Sequence, residues 1–283
     1  MVKKIAFVLA GGGGRGALQV GALRALLEAG IQPDFFIGTS IGAVNSAFLA
    51  LHGFSAEGLD LLAAAWLTAS QLDILPANYL WLAVRAMFGR SLNDPARRLQ
   101  DFFIANGLTP DLCFSDVKGP RLFIVSADLN TGRPVIHGES ADDNLLEALL
   151  LSTALPPWFM PSRKQGRYLM DGGVVSNLPV ESALKLGATH TVALDLGDTR
   201  EIYAGANPIV GFLDRLSTAV EKREADLELE LARARGVPVL YLGLLGDSPI
   251  PYWDFHHTET FMELGYEIAR RTIQENDASE FLR

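Results

Sequence analysis

Residues 5–51 repeat one local pattern twice: a short apolar run, a glycine-bracketed turn, then a stretch of helical spacing. The first unit is Ile5–Leu9, the loop Gly11-Gly12-Gly13-Gly14-Arg15-Gly16, and a helical stretch from Ala17 to Ala29 stopped by Gly30. The second is Asp34–Ile37, bounded by Pro33, then Gly38-Thr39-Ser40-Ile41-Gly42, then Ala43 to Leu51, stopped near Gly53. Apolar runs this short, without polar alternation, suit strands covered on both faces, as in a parallel sheet. Strand–helix–strand–helix order then requires crossover connections of one hand. The expectation is an α/β fold with three α/β/α layers and a mainly parallel central sheet.

Beyond this core, Ala56–Ala69, Asn78–Phe88 and Pro95–Ala105 read as helices with no strand between them, a helical insertion over about residues 55–107. Within it, Tyr79–Phe88 is apolar almost all round, and residues 74–88 suit a lid, a lipid contact or a helix buried under its neighbours. Arg121–Ala127 is a further buried strand, with Arg133–His137 as its hairpin partner across Asn130-Thr131-Gly132. Helices are expected over Leu145–Ser152, Pro179–Leu186, Pro208–Ala234 and His256 to about Gln274, and strands over Tyr168–Met170, Thr191–Asp195 and Val237–Tyr241. With no repeat and no linker-like shift of composition, residues 1–283 read as a single domain.

A net charge of −9 argues against nucleic acid as a partner, since that needs a basic face. It also argues against simple electrostatic attachment to anionic membranes, so lipid contact should be local and largely apolar. One local exception is Ser162–Arg167, a small basic cluster that suits an anionic head group or a solvated loop. Cys113 is the only cysteine, which excludes an intrachain disulfide and fits a reducing compartment. The apolar run after Lys4 is too short for a leader and opens into glycines, so it is read as a strand. No stretch approaches the roughly 20 apolar residues needed to cross a bilayer. A cytoplasmic protein, at most peripheral to the inner face of a membrane, is expected.

A serine between strand and helix is held in a strained backbone that pushes its hydroxyl out over the end of the sheet. The helix N-terminus behind it favours developing negative charge. Gly38-Thr39-Ser40-Ile41-Gly42 fits such a nucleophile elbow, and it also fits a plain tight turn with Ser40 as a helix cap. Gly11, Gly13 and Gly16 match a dinucleotide fingerprint, but the second strand closes with Gly38-Thr39-Ser40 where that fingerprint needs an acidic residue. Ala17-Leu18 after Gly16 argues in the same way against a phosphate-binding loop. Consecutive glycines can instead aim several backbone N–H groups at one point, as an oxyanion hole does. Loops leaving neighbouring parallel strands open onto one crevice, so this loop and Ser40 should face each other.

A serine hydroxyl also needs a base. Of the five histidines, His52 closes the serine helix, His137 lies near a hairpin edge, His190 precedes a strand, and His256-His257 open the last helix. None sits beside a glycine-bracketed turn. Asp171-Gly172-Gly173 is the better candidate, a carboxylate at the end of a short strand with glycines permitting close approach.

Taken together, these blocks resemble the patatin-like phospholipases. Gly11 to Gly16 resembles the family's oxyanion motif, Gly38–Ala43 its nucleophile elbow, and Asp171-Gly172-Gly173 its aspartate motif. Ser152-Thr153-Ala154-Leu155-Pro156-Pro157, with Phe159 and Pro161, is similar to the proline-bearing block between the last two. The match is similar in flavour to intracellular bacterial members and to the esterase domain of neuropathy target esterase. The resemblance implies a patatin-like fold and a serine–aspartate dyad lipid acyl hydrolase of phospholipase, lysophospholipase or carboxylesterase type, without cofactor or metal. Ser40 would be the nucleophile and Asp171 the general base. The amides of Gly12, Gly13 and Gly14 would hold the oxyanion, with Gly11, Arg15, Gly16, Gly38, Gly42, Gly172 and Gly173 in support. Arg15 would fix the loop or favour a lipid phosphate. Substrate selection would lie in a pocket wall at residues 60–110 and 151–161. The other reading is a lipid-binding regulatory module with a nearly idle hydrolase site.

Overall fold

The first strand, β1 (Ile5–Leu9), is buried along its whole length, and its pleat feeds two separate cores. Ile5, Phe7 and Leu9 join Phe36, Ile124, Val192 and Leu242 on one face, while Ala6 and Val8 join Phe35, Ile37, Phe123 and Ala193 on the other. Burial on both faces is the reason these runs carry no polar alternation. The computed structural model describes residues 2–71, 93–155, 159–164, 166–200, 208–252, 254–276 and 278–282. The helix expected over Asn78–Phe88, and with it the choice of roles for 74–88, lies outside these residues.

The central strands run parallel in the order β3 (Arg121–Asp128), β2 (Phe35–Thr39), β1, β7 (His190–Asp195) and β8 (Val239–Gly243). On one face lie α1 (Gly16–Glu28), α2 (Ile41–His52), α3 (Ala56–Ser70), α4 (Asn93–Ala105), α5 (Leu145–Ser152) and α8 (Thr258–Glu275). The opposite face is covered by α6 (Val180–Lys185) and α7 (Pro208–Ala234). This is the three-layer α/β/α arrangement expected, with a mixed sheet at its centre.

The antiparallel strands position the site. β4 (Arg133–His137) pairs with β3 over Ile124–Asp128. β2 pairs with β3 only as far as Thr39↔Val125, and β6 (Arg167–Asp171) pairs with it from Ser126↔Asp171 onward. Because β4 overlaps both stretches, β2 and β6 must share the other edge of β3. They meet there end to end. The residue after Thr39 is Ser40, so the register alone sets Ser40 beside Asp171.

Two local readings change. β2 runs on through Gly38 and Thr39, because their backbone continues the ladder with β3 to the edge of the elbow. Ser162–Arg167 is no loop: β5 (Ser162–Lys164) forms a hairpin with β6, turning at Gly166, whose φ of 78° suits glycine. Among the described residues no helix is long and apolar enough to cross a membrane.

Helices α1 and α8 approach backbone to backbone. A Cβ on Gly265 would lie 2.0 Å from the Leu18 carbonyl oxygen, and one on Gly21 would lie 1.8 Å from that of Met262. Gly265→Ala is therefore expected to destabilise the protein by about 1–3 kcal/mol, since backbone cannot yield as a flexible side chain would. Urea denaturation would read this as a lower midpoint at unchanged slope.

Candidate active site

Ser40 is the only described non-glycine residue with positive φ, at φ 52° and ψ −124°. Its flanking glycines are required by close approach. A Cβ on Gly38 would lie 2.4 Å from the Gly42 carbonyl carbon, and one on Gly42 would lie 2.2 Å from the Leu9 carbonyl oxygen. A strained backbone persists only where its surroundings over-determine it. Here the Ser40 N–H donates to Ser152 Oγ at 2.9 Å, and Ser152 Oγ donates to the Val125 carbonyl at 2.7 Å. Ala43 and Val44 donate their N–H groups to the Ser40 carbonyl at 3.0 and 3.2 Å. Thr39 Oγ1 ties the elbow to the loop after Asp171 by donating to the Ser176 carbonyl at 2.8 Å.

Ser40 Oγ donates to Asp171 Oδ2 at 2.7 Å, and the Gly173 N–H donates to Asp171 Oδ1 at 2.8 Å. Gly172 lets this turn sit against β3, since a Cβ there would lie 2.5 Å from the Val125 carbonyl oxygen. Asp171 is 1% exposed. Burial pushes its carboxyl up to about 6, against the opposing pull of the Gly173 and Ser40 hydrogen bonds. Among the described residues no hydrogen bond joins a histidine to Ser40 or Asp171. His52 packs at a tilt against Phe48, His190 lies beside Thr189, and His257 meets Asp254. His137 is buried against Ser126 Oγ at 2.8 Å, and desolvation lowers its pKa to about 4.

The glycine loop is anchored at both ends by buried amides. Gln19 Nε2 donates to the Ala10 carbonyl at 2.9 Å, Asn45 Nδ2 donates to the Gly16 carbonyl and to Gln19 Oε1 at 3.0 Å each, and Trp66 Nε1 donates to Asn45 Oδ1 at 2.8 Å. Gly11 donates its N–H to the Asn177 carbonyl at 3.1 Å, linking this loop to the segment after Asp171. The Gly12 and Gly13 N–H groups have no acceptor among the described residues. Gly14 departs from the expectation: its N–H already donates to the Tyr252 carbonyl at 2.7 Å, so it is not available to an oxyanion in this arrangement. Of the two roles expected for Arg15, the geometry supports fixing the loop. It is 1% exposed, donates from Nε to the Ile250 carbonyl at 2.5 Å and from Nη1 to the Leu196 carbonyl at 3.2 Å, and lies 4.0 Å from the Tyr252 ring centroid. No group of three or more metal-ligating side chains occurs among the described residues.

Ser40 and Gly13 open onto an apolar pocket between the helices of one face. Val44 and Phe48 of α2, Leu62 and Trp66 of α3, and Phe102 and Phe103 of α4 line it, and Leu155 and Phe159 close one side. Part of the wall falls in the two segments expected, 60–110 and 151–161, but Ile41, Val44 and Phe48 of α2 and Phe255 lie outside both. Nothing in the sequence flagged Phe255 or Tyr252, which fold back onto the glycine loop from a distant part of the chain. Ser152 stood inside a block already singled out, but its role depends on contacts that only the folded backbone supplies.

The model of the patatin-like phospholipase family matches residues 7–184, and the chain belongs to that family. It is 35% identical over 202 residues to patatin-like phospholipase domain-containing protein 7 of Rattus norvegicus, covering 70% of this chain and 14% of that protein. It is 30% identical over 290 residues to an uncharacterised NTE family protein of Mycobacterium tuberculosis, covering 96% of this chain and 47% of that one. The chain thus spans less than half the length of these relatives. The crystal structure of VipD from Legionella pneumophila aligns with 96% of this chain and 67% of its own, at 15% identity and a TM-score of 0.49.

Two expectations follow from the geometry. Ser152→Ala leaves the Ser40 N–H without its acceptor and the Val125 carbonyl without its donor, and should cost about 1–3 kcal/mol in chemical denaturation. Asp171 has a folded-state pKa raised to about 6 from an ordinary value of 3.8. Ionising it therefore costs the fold on the order of 3 kcal/mol at neutral pH, a cost that fades as pH falls through 6 towards 4. Asp171→Asn should accordingly raise Tm at about pH 8, with the gap to wild type closing over that acid range in thermal melts.

Proposed function

We propose that the chain hydrolyses acyl esters of lipids through a Ser40–Asp171 dyad and an acyl-serine intermediate. The observation that carries this reading is the 2.7 Å hydrogen bond from Ser40 Oγ to the buried Asp171 carboxylate, beside an apolar pocket that reaches Ser40. A carboxylate is ordinarily a weak base; burial brings Asp171 to about 6, closer to the working pH and better matched to the task.

In the proposed reaction Asp171 takes the Ser40 hydroxyl proton as Oγ attacks the acyl carbonyl. Negative charge then gathers on the former carbonyl oxygen, where the Gly12 and Gly13 amides donate to it. One such donor contributes about 3 kcal/mol in the transition state. Collapse of this intermediate breaks the ester bond, and the departing alcohol takes the proton held by Asp171. Water then gives a proton to Asp171 as its oxygen attacks the acyl-serine. The second collapse frees the carboxylic acid and returns the proton to Ser40 Oγ. The pocket takes the acyl chain, its apolar wall gaining by removal of hydrocarbon from water. The substrate is a lipid or acyl ester, and Gly14 and Arg15 serve to hold the loop's shape.

Ser40→Ala and Asp171→Asn are each expected to lower kcat/KM for acyl ester hydrolysis by roughly 10³-fold or more. Full activity in both variants would overturn the dyad. The wild-type rate should fall with unit slope as pH drops below about 6, where Asp171 becomes protonated. A flat acid limb would remove Asp171 from the role of base. Refusal of Ser40 to react with a fluorophosphonate probe in the folded protein would favour a binding module over an enzyme.

A further inference from the structure

The sheet does not end level. β2 stops pairing with β3 at Val125, but β3 continues to Asp128, roughly 10 Å further at about 3.3 Å per residue. Both the β3–β4 turn and the β5–β6 hairpin project from this extension, on the side where Ser40 leaves the sheet. They are joined: the Leu129 N–H donates to the Tyr168 carbonyl at 2.9 Å, and the Tyr168 N–H donates to Asn130 Oδ1 at 2.8 Å. The Asn130 N–H in turn donates to Asp128 Oδ1 at 2.9 Å. Two loops that sequence would leave mobile are thus tied into one platform.

The chemistry of the platform is unlike that of the rest of the molecule. It carries Arg133, Arg163, Lys164 and Arg167 on a chain whose net charge is −9. Lys164 is paired with Glu147 at 2.6 Å, and Arg167 Nη1 lies 3.9 Å from the buried Asp128. Arg133 and Arg163 are exposed. Set among these cations are exposed apolar groups: Met160 at 68%, Tyr168 at 47% and Leu129 at 42%. Met160 follows Phe159, which lines the pocket, and Met170 on β6 packs with Phe159 in one cluster. The platform therefore adjoins the pocket wall.

We propose that this platform is a docking surface for an anionic phospholipid bilayer, seating the pocket against it. The inference rests on the functional reading only for its purpose; the surface itself stands on charge, exposure and position. Basic side chains stand on both faces of this end of the sheet beside exposed apolar groups, with Arg163 directly across the hairpin from Tyr168. That composition suits a headgroup layer. The acidic remainder of the surface is repelled by the same bilayer, which would orient the protein with this end inward. Nucleic acid is disfavoured because the basic area is small and broken by apolar side chains.

The test uses the full chain carrying Ser40→Ala, so that vesicles survive, with co-sedimentation on phosphatidylcholine vesicles with and without roughly 30% phosphatidylglycerol. The expected result is binding that requires the anionic lipid and weakens as salt rises from roughly 0.05 to 0.5 M. Arg133→Gln with Arg163→Gln should weaken it by roughly thirtyfold, while wild-type chain with the same two changes keeps its activity on a soluble short-chain ester. Equal binding to neutral and anionic vesicles, no binding to either, or no loss in the double variant would overturn the proposal. Because binding is read without hydrolysis, a silent ester assay would count against the reaction and leave the docking result intact.

Discussion

The site depends on one vacancy along an edge. β3 outlasts β2 by three residues, and the hydrogen-bonding groups of Ser126–Asp128 that face this edge would be unpaired if nothing took the place of β2. β6 fills that length from the opposite direction, so its carboxyl terminus abuts the carboxyl terminus of β2. Two chain ends with no sequence proximity are thereby brought together by backbone pairing alone. The 2.7 Å Ser40–Asp171 contact, the Thr39–Ser176 tie and the Ser152 bridge all follow from that junction. A site on strand ends is held more firmly than one on free loops.

Holding it has a cost in stability. Ser40 occupies a backbone region that side chains normally avoid, and Asp171 is buried without a cation partner among the described residues. Across the sheet, burial likewise raises Glu221, Glu224 and Glu228 of α7 to about 7, and Tyr252 donates its hydroxyl to Glu221 at 2.6 Å. The two-sided core offsets these terms, with Phe7, Phe36 and Phe54 meeting edge to face at centroid separations of 5.5–5.8 Å. The buried amides of Gln19 and Asn45 then fix the glycine loop.

Sequence carried much of this, and the limit is physical. Ile5–Leu9 and Asp34–Ile37 announce buried parallel strands because doubly covered strands have no polar face to alternate. The glycines around Ser40 announce an elbow because no Cβ fits where Gly38 and Gly42 approach their neighbours. What stayed hidden were long-range backbone partners, which leave no local imprint. The Tyr252 carbonyl that occupies the Gly14 amide comes from a segment about 240 residues away. Ser162–Arg167 reads as a polar loop because a three-residue edge strand carries too little pattern to register. The antiparallel direction of β6 is equally silent, since pairing sense is decided by which edge remains vacant.

The pocket has one further consequence. Its wall is drawn mostly from α2, α3, α4 and Thr153, Leu155 and Phe159, whereas the proposed reacting groups stand on strand ends and the glycine loop. Only Ser40 and Gly13 belong to both sets. Helices α3 and α4 stand between β2 and β3 in the chain and take no part in the pairing that sets the dyad distance. On the proposed reading, the lining these helices carry can lengthen, narrow or change shape in descent or by engineering while the strand pairing stays put. Choice of acyl chain and capacity for chemistry would then be separately heritable.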